Sequence, residues 1–346
     1  MIEVKFYNNE DNKELKYVVI MARYNDSWIF CKNKNNDTYE IPGGKIINGE
    51  NCLDAAKREL MEETGAITFD IEKVSIYSVV NNSEETYGAL FYADIKTIGE
   101  LKHEIKKIIF VDYLPYDLTY PQIQPKLYRY VCDNVSFLPK TEKKRMLAGK
   151  LYFQPVNELI EMHKRALRLC QEYNFSKWDQ FERRQEIIKE LFGTVKGDFY
   201  LEPTIKCDYG CNIHIGNHFY CNFDTIFLDV CPIYFGDNIY IAPRCSFFTA
   251  GHPIDSVIRA EALEFGKEIR VGSNVWFGGH TIVNPGVTIG SNVVIGSGSV
   301  VTKDIPDNVV AAGNPCRVLR KITEDDKIKW EKEKIEYLNS KVDSNL

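Results

Sequence analysis

Polar and apolar residues change their rhythm twice along this chain. In the first third, short stretches at 16–22, 28–32, 71–79, 87–95 and 108–112 read as β-strands. The first two are close enough to pair across the turn Tyr24-Asn25-Asp26-Ser27. Between the second and third, Leu53, Ala56 and Leu60 form a stripe that a helix can bury. The run Tyr120-Pro121-Gln122-Ile123-Gln124-Pro125 then breaks regular structure before a short helical segment ending near Asp133. From Thr141 the pattern is helical, over 143–147, 156–173 and 181–191.

Beyond Gly193 the period becomes six. Val271, Phe277, Val283, Ile289, Ile295 and Val301 recur at that interval without a slip. Gly272, Gly278, Asn284, Gly290, Gly296 and Thr302 directly follow them, and Phe235-Gly236 and Ile241-Ala242 keep the same phase. One inward apolar residue per short strand, with small or turn-forming residues at the corners, resembles a left-handed parallel β-helix. An alternating β-sandwich would not hold so strict a register. Residues 252–268 interrupt the hexads, and a loop leaving a rigid prism is a natural place for chemistry. The expected chain is therefore multidomain: an α+β domain over 1–138, a helical cap over 139–195, the β-helix over 196–322 and a charged, solvated tail over 323–346.

A length of 346 residues accommodates these parts. A net charge of −6 argues against a binder of polymeric nucleic acid but leaves single nucleotides open. No apolar run reaches the length of a membrane span, and Met1-Ile2-Glu3-Val4-Lys5 does not start like a signal peptide. With 10 cysteines, that start points to a reducing cytoplasm rather than a disulfide framework. Cys207 and Cys211 lack a second pair at ligand spacing and read as small buried residues.

The first candidate chemistry lies at 44–66. Gly44 precedes Glu50, then Arg58-Glu59-Leu60, Glu62-Glu63 and Gly65. Glu59, Glu62 and Glu63 are spaced i, i+3 and i+4 on one helical side. Acids so crowded either form a solvated face or share a hard cation, Mg²⁺ or Mn²⁺. The order of residues resembles the Nudix box, and Tyr39-Glu40-Ile41-Pro42-Gly43-Gly44 is similar to MutT-like members. The resemblance implies metal-assisted attack of water on the pyrophosphate of a nucleoside di- or triphosphate-type substrate. It makes Glu59, Glu62 and Glu63 the metal ligands, with the Gly44 carbonyl as a further one. Arg58 would orient a glutamate, Glu50 would pair with it, and Glu104 would be the general base.

The second lies in the hexads. Thr249-Ala250-Gly251-His252-Pro253, Val275-Trp276-Phe277-Gly278-Gly279 and Asn284-Pro285-Gly286-Val287-Thr288-Ile289-Gly290 resemble the maltose/galactoside O-acetyltransferases. So do Val301-Thr302-Lys303-Asp304-Ile305-Pro306, Gly313-Asn314-Pro315-Cys316-Arg317-Val318 and the cap start Arg145-Met146-Leu147-Ala148-Gly149-Lys150-Leu151-Tyr152. An alcohol needs a base near neutral pH before it attacks a thioester, and histidine suits that work. The resemblance, over 141–322, implies that His252 is this base and acetyl-CoA the acetyl donor. It further implies that Asn222 and Asp229 bind a sugar-like acceptor, that Trp276 walls the site, and that Thr302, Lys303 and Arg317 hold the CoA. Members of that family assemble as trimers, so a homotrimer is expected here. The family often carries an aspartate just after the position of Tyr152, where this chain has Phe153-Gln154, which leaves the acceptor open. Whether the N-terminal domain hydrolyses its nucleotide or only senses it also stays open.

Overall fold

The computed structural model describes residues 2–7, 14–33, 37–81, 84–101, 105–135, 137 and 139–343. Two compact units emerge: Met1–Leu159 with His252–Gly266, and Ile160–Gly251 with Lys267–Leu346. They divide the chain by packing, which differs from a division by composition.

In the first unit, strands β1 (Glu3–Tyr7), β2 (Leu15–Tyr24), β3 (Ser27–Asn33), β4 (Gly43–Lys45), β5 (Ala66–Asn81), β6 (Glu84–Ile98) and β7 (Ile105–Val111) form one mixed sheet. Their order is β1-β5-β6-β2-β3-β7, with β4 added beside β2. β2 and β6 run parallel and the other pairings are antiparallel. Asn25 and Asp26 take left-handed backbone angles (φ 49° and 66°), which these short polar residues tolerate, so β2 and β3 close as a tight hairpin. β5 and β6 extend well past the stretches that the pattern marked.

Two helices cover the sheet. Helix α1 (Cys52–Thr64) starts where the Asn51 side chain accepts from Asp54 N at 2.9 Å, and it stops at Gly65, whose φ of 71° reverses the chain. It buries Ala55, Ala56 and Leu60 against Val18, Ile20, Phe91 and Ala93. Leu53, expected on this stripe, is 39% exposed: it points the same way as Leu60 but stands in the first turn of the helix, directly after Cys52. Helix α2 (Gln124–Asn134) buries Leu127, Tyr128 and Val131 on the other face, among Met21, Trp28 and Leu90.

The same unit continues into the expected cap. Helix α3 (Glu142–Leu147) and β8 (Tyr152–Phe153) follow, and Ala148 joins the core that holds Trp28 and Phe137. Lys144 Nζ lies 3.4 Å from Ser27 Oγ and 3.6 Å from Asp112 Oδ1, while Lys150 donates to the Cys132 carbonyl. β8 pairs antiparallel with the strand Leu263–Gly266.

The second unit holds most of helix α4 (Asn157–Asn174), all of α5 (Phe181–Leu191) and a left-handed β-helix with three sheets, parallel except for the closing antiparallel strand Arg317–Lys321. The hexad residues point inward as the pattern requires: Phe277, Val283, Ile295 and Val301 are fully buried, with Ile289 and Val271 nearly so. Phe227, Phe235, Phe247 and Phe277 contact one another inside the prism, with centroids 5.0–6.2 Å apart. Corners are turned by Asn238, Asn274, Asn292 and Asn308 at φ of 55–60°. Their amides bond between coils, Asn238 to Asn274 at 3.0 Å and Asn292 to Asn308 at 2.9 Å. A Cβ on Gly272 would fall 2.8 Å from the Gly290 carbonyl carbon, so this corner has no room for a side chain. The tail is the helix Glu324–Asp343, exposed over residues 327–340. Among the described residues no helix is long and apolar enough to cross a membrane.

Candidate functional sites

The N-terminal site is built where β4 meets α1. Gly43 and Gly44 pair with Val19 and Val18, which draws the strand against the start of the acidic face. A Cβ on Gly44 would fall 2.1 Å from Glu59 Oε1, so the glycine lets that carboxylate rest on the backbone. Arg58 organises the rest. Its Nε reaches Glu50 Oε1 and its Nη2 reaches Glu50 Oε2, each at 3.0 Å. Nη1 donates to Glu59 Oε1 at 2.7 Å and to Glu62 Oε2 at 3.3 Å, and Nη2 also donates to the Lys45 carbonyl at 3.1 Å. A forked contact of this kind is a guanidinium property that an ammonium cannot reproduce. The hydrogen bond from Arg58 holds the Glu50 carboxyl below the ordinary range.

Glu63 turns the other way. Its Oε2 accepts from Gly43 N at 2.8 Å, and burial pushes its pKa up to about 8 against the pull of that bond. The negative charges of Glu59, Glu40 and Glu62 raise it further. Glu40 is a contributor that the helix spacing alone does not reveal, since it stands outside α1 beside the two glycines. Among the described residues no three potential ligands are drawn together closely enough to hold an ion ready-made. The three box glutamates share a helical face, yet Arg58 engages Glu59 and Glu62 while the Gly43 amide engages Glu63. The donor set nonetheless fits a hard divalent cation, because it is all oxygen. Glu104 lies outside the described residues.

In the second unit, Asn222 sits at a corner. Its amide N donates to the Ile241 carbonyl at 2.9 Å and its side-chain oxygen accepts from Phe223 N at 2.8 Å. Asp229, at the end of the strand Thr225–Leu228, is fully buried. Its Oδ1 accepts from the backbone amides of Asp208 and Tyr209, both at 2.9 Å, while Oδ2 is buried with no hydrogen-bond partner among the described residues. Burial raises its pKa to about 8. A buried carboxyl oxygen left without a partner is costly in a folded chain.

Trp276 projects outward from the strand Val275–Phe277, 54% exposed, in register with Tyr240. Thr302, Lys303 and Arg317 are exposed at the far end of the coil, with Arg317 Nη1 on the Cys316 carbonyl at 2.7 Å.

His252 opens the inserted segment of the first unit and is exposed. The segment is shaped by its own residues. Asp255 caps the short helix α6 (Ser256–Ala260), accepting from Val257 N and Ile258 N. Arg259 reaches back to the carbonyls of Pro253 and Ile254 at 2.9 and 2.8 Å, immediately after the histidine.

Comparison with known proteins bears on both regions. A family model described as the maltose acetyltransferase hexapeptide capping motif matches residues 145–197, and a bacterial transferase hexapeptide model of six repeats matches 268–303. The galactoside O-acetyltransferase of Escherichia coli (strain K12) is 46% identical over 190 residues, which covers 55% of this chain and 93% of that protein. The chain belongs to the galactoside O-acetyltransferase family. A second galactoside O-acetyltransferase, from Lactococcus lactis subsp. lactis (strain IL1403), is 38% identical over 191 residues, covering 55% of this chain and 92% of its own. Among solved structures, a maltose O-acetyltransferase from Clostridium difficile 630 superposes with a TM-score of 0.52 at 49% identity, covering 53% of this chain and 98% of that one. A galactoside acetyltransferase in complex with coenzyme A gives a TM-score of 0.53 at 45% identity, over 54% of this chain and 93% of that one. Unlike these relatives, which match little more than half of it, this member of the galactoside O-acetyltransferase family also carries a NUDIX domain, matched over residues 6–140.

Proposed function

We propose that this chain is a two-site enzyme: an O-acetyltransferase for a sugar-like hydroxyl, joined to a metal-dependent Nudix pyrophosphohydrolase. The observation that carries the reading is that both sets of functional groups are intact in one chain. The Arg58 network with Glu50, Glu59 and Glu62 stands in one half, and the buried Asp229 with its unsatisfied oxygen stands in the other.

In the acetyl transfer, Asn222 and Asp229 bind and orient the acceptor, and Asp229 Oδ2 is the atom free to meet an acceptor hydroxyl. His252 removes the proton of the attacking hydroxyl as its oxygen bonds to the thioester carbon. The carbon–sulfur bond then breaks, and His252 returns the proton to the departing thiol. Trp276 lines the acetyl end, and Thr302, Lys303 and Arg317 hold the CoA. Phe153-Gln154 stand where the family often carries an aspartate, so the identity of the acceptor stays open. A homotrimer would supply each site with a neighbouring prism.

In the Nudix half, Glu59, Glu62 and Glu63, with the Gly44 carbonyl, would hold Mg²⁺ or Mn²⁺, which supplies charge neutralisation and a more acidic water. Arg58 fixes the rotamers of Glu59 and Glu62, and Glu50 in turn fixes Arg58. Glu104 is the proposed general base. The substrate is a nucleoside di- or triphosphate-type molecule.

The deciding experiment assays both activities on the full chain. Acetyl-CoA consumption is followed with a panel of sugars, and phosphate release with nucleotides in Mg²⁺ or Mn²⁺. Glu62→Gln should abolish phosphate release and spare acetyl transfer, and His252→Ala should do the reverse. A nucleotide that alters acetyl transfer but is never cleaved would replace hydrolysis by sensing.

A further inference from the structure

Helix α4 is laced to the first coils of the prism along its length. His163 Nδ1 lies 2.7 Å from the Asp208 carbonyl oxygen, and Tyr173 Oη donates to the Leu201 carbonyl at 2.6 Å. Asn174 bonds both backbone atoms of Ile205, at 2.8 and 2.9 Å. Within this seam Cys170, from α4, and Cys207, from the strand Ile205–Cys207, bring their sulfurs to 3.5 Å. Both are nearly buried, at 6% and 7% exposure. Closing a bond of about 2 Å needs a movement of roughly 1.5 Å, well within side-chain adjustment.

We infer that Cys170 and Cys207 form a reversible redox-modification site, a dithiol that low-molecular-weight disulfides convert to an intrachain disulfide between α4 and the first coils. The two sulfurs are chemically unequal. Cys170 is lowered by the hydrogen bond with Cys207. Cys207 is held well up by that same contact, by burial and by the nearby carboxylates of Asp229 and Asp208. Cys170 therefore attacks first. Its thiolate bonds to one sulfur of oxidised glutathione, the glutathione disulfide breaks, and one glutathione leaves as thiolate and takes a proton from water. Cys207 then attacks the Cys170 sulfur and loses its proton, and the second glutathione departs. Two protein thiols are oxidised and one glutathione disulfide is reduced to two thiols. The link forms one residue before Asp208, whose amide, with that of Tyr209, holds Asp229. The site is independent of whether either proposed activity is correct.

The test incubates the full wild-type chain with oxidised glutathione, alkylates the remaining thiols and digests without reduction. Mass spectrometry should find the peptides of Cys170 and Cys207 joined, with the other cysteines alkylated and the link erased by dithiothreitol. Separate alkylated peptides for Cys170 and Cys207, or glutathione retained on Cys170 with no link, would overturn the assignment. Cys207→Ala should stop at a glutathione adduct on Cys170, which distinguishes the second step from the first.

Discussion

The Tyr152 hydroxyl donates to Glu264 Oε2 at 2.7 Å, joining the end of the α3 segment to the strand that closes the His252 insertion. Tyr152 is 1% exposed, so this contact anchors one end of the insertion to a buried point. Tyr152→Phe should lower the thermal midpoint by an amount equivalent to about 1 kcal/mol. It should also cut kcat for acetyl transfer several-fold, with KM for acetyl-CoA unchanged. Steady-state kinetics separate the two, and an unchanged kcat would make the contact purely structural.

Arg58→Lys removes the fork but keeps the charge. Glu50 and Glu59 can no longer be held at once, and phosphate release should fall at least tenfold. Acetyl transfer by the same preparation should be unaffected. Equal loss of both activities would mean that the substitution had disturbed more than the box.

His214 lies buried against Tyr234, its Nδ1 at 3.0 Å from Thr194 Oγ1. Burial, aided by the positive Arg270, depresses its pKa to about 3. The unfolded imidazole, near 6.5, takes its proton first as pH falls. The stability is therefore complete above that value and drains away towards pH 3. Between pH 7 and 5 the wild type should lose about 2 kcal/mol more than His214→Gln, read from urea midpoints. Parallel losses in the two proteins would remove His214 as the cause.

Gly272→Ala would place a methyl group against the next coil, 2.5 Å from Ser291 Oγ and 2.8 Å from backbone carbon. Overpacking of this kind costs about 1–3 kcal/mol, and differential scanning calorimetry should register a lower midpoint. Gly49, with no atom within 4 Å of its Cβ position, tests local space but carries φ of 87° and makes a poorer control.

The prism was readable from sequence because a coil imposes its register on the chain: Val271, Phe277 and Val283 repeat at the interval at which the backbone turns inward. The Arg58-Glu59 helix was readable because spacing on a helix fixes direction. Contacts between distant segments were not. Cys170 and Cys207 stand 37 residues apart, Tyr152 and Glu264 stand 112 apart, and no local period links either pair. The closeness of Glu40 to Glu63 depends on how β3 and α1 pack, and the exposure of Leu53 on where the helix starts relative to the sheet, which an apolar letter does not encode. Asp229 was singled out by family motif, whereas its unsatisfied Oδ2 could be seen only once the surrounding amides were in position.

Ala148, inside the core with Trp28 and Phe137, carries a practical consequence for anyone dissecting the molecule. A cut at the motif boundary near residue 140 would pass through a packed core. The liberated acetyltransferase half would begin with a bare Ala148 face and with Lys144 and Lys150 stripped of Ser27, Asp112 and Cys132. The liberated Nudix half would expose the other side of the same wound. The Nudix sheet and the start of the cap share one core, so the boundary between motifs is not a boundary in packing.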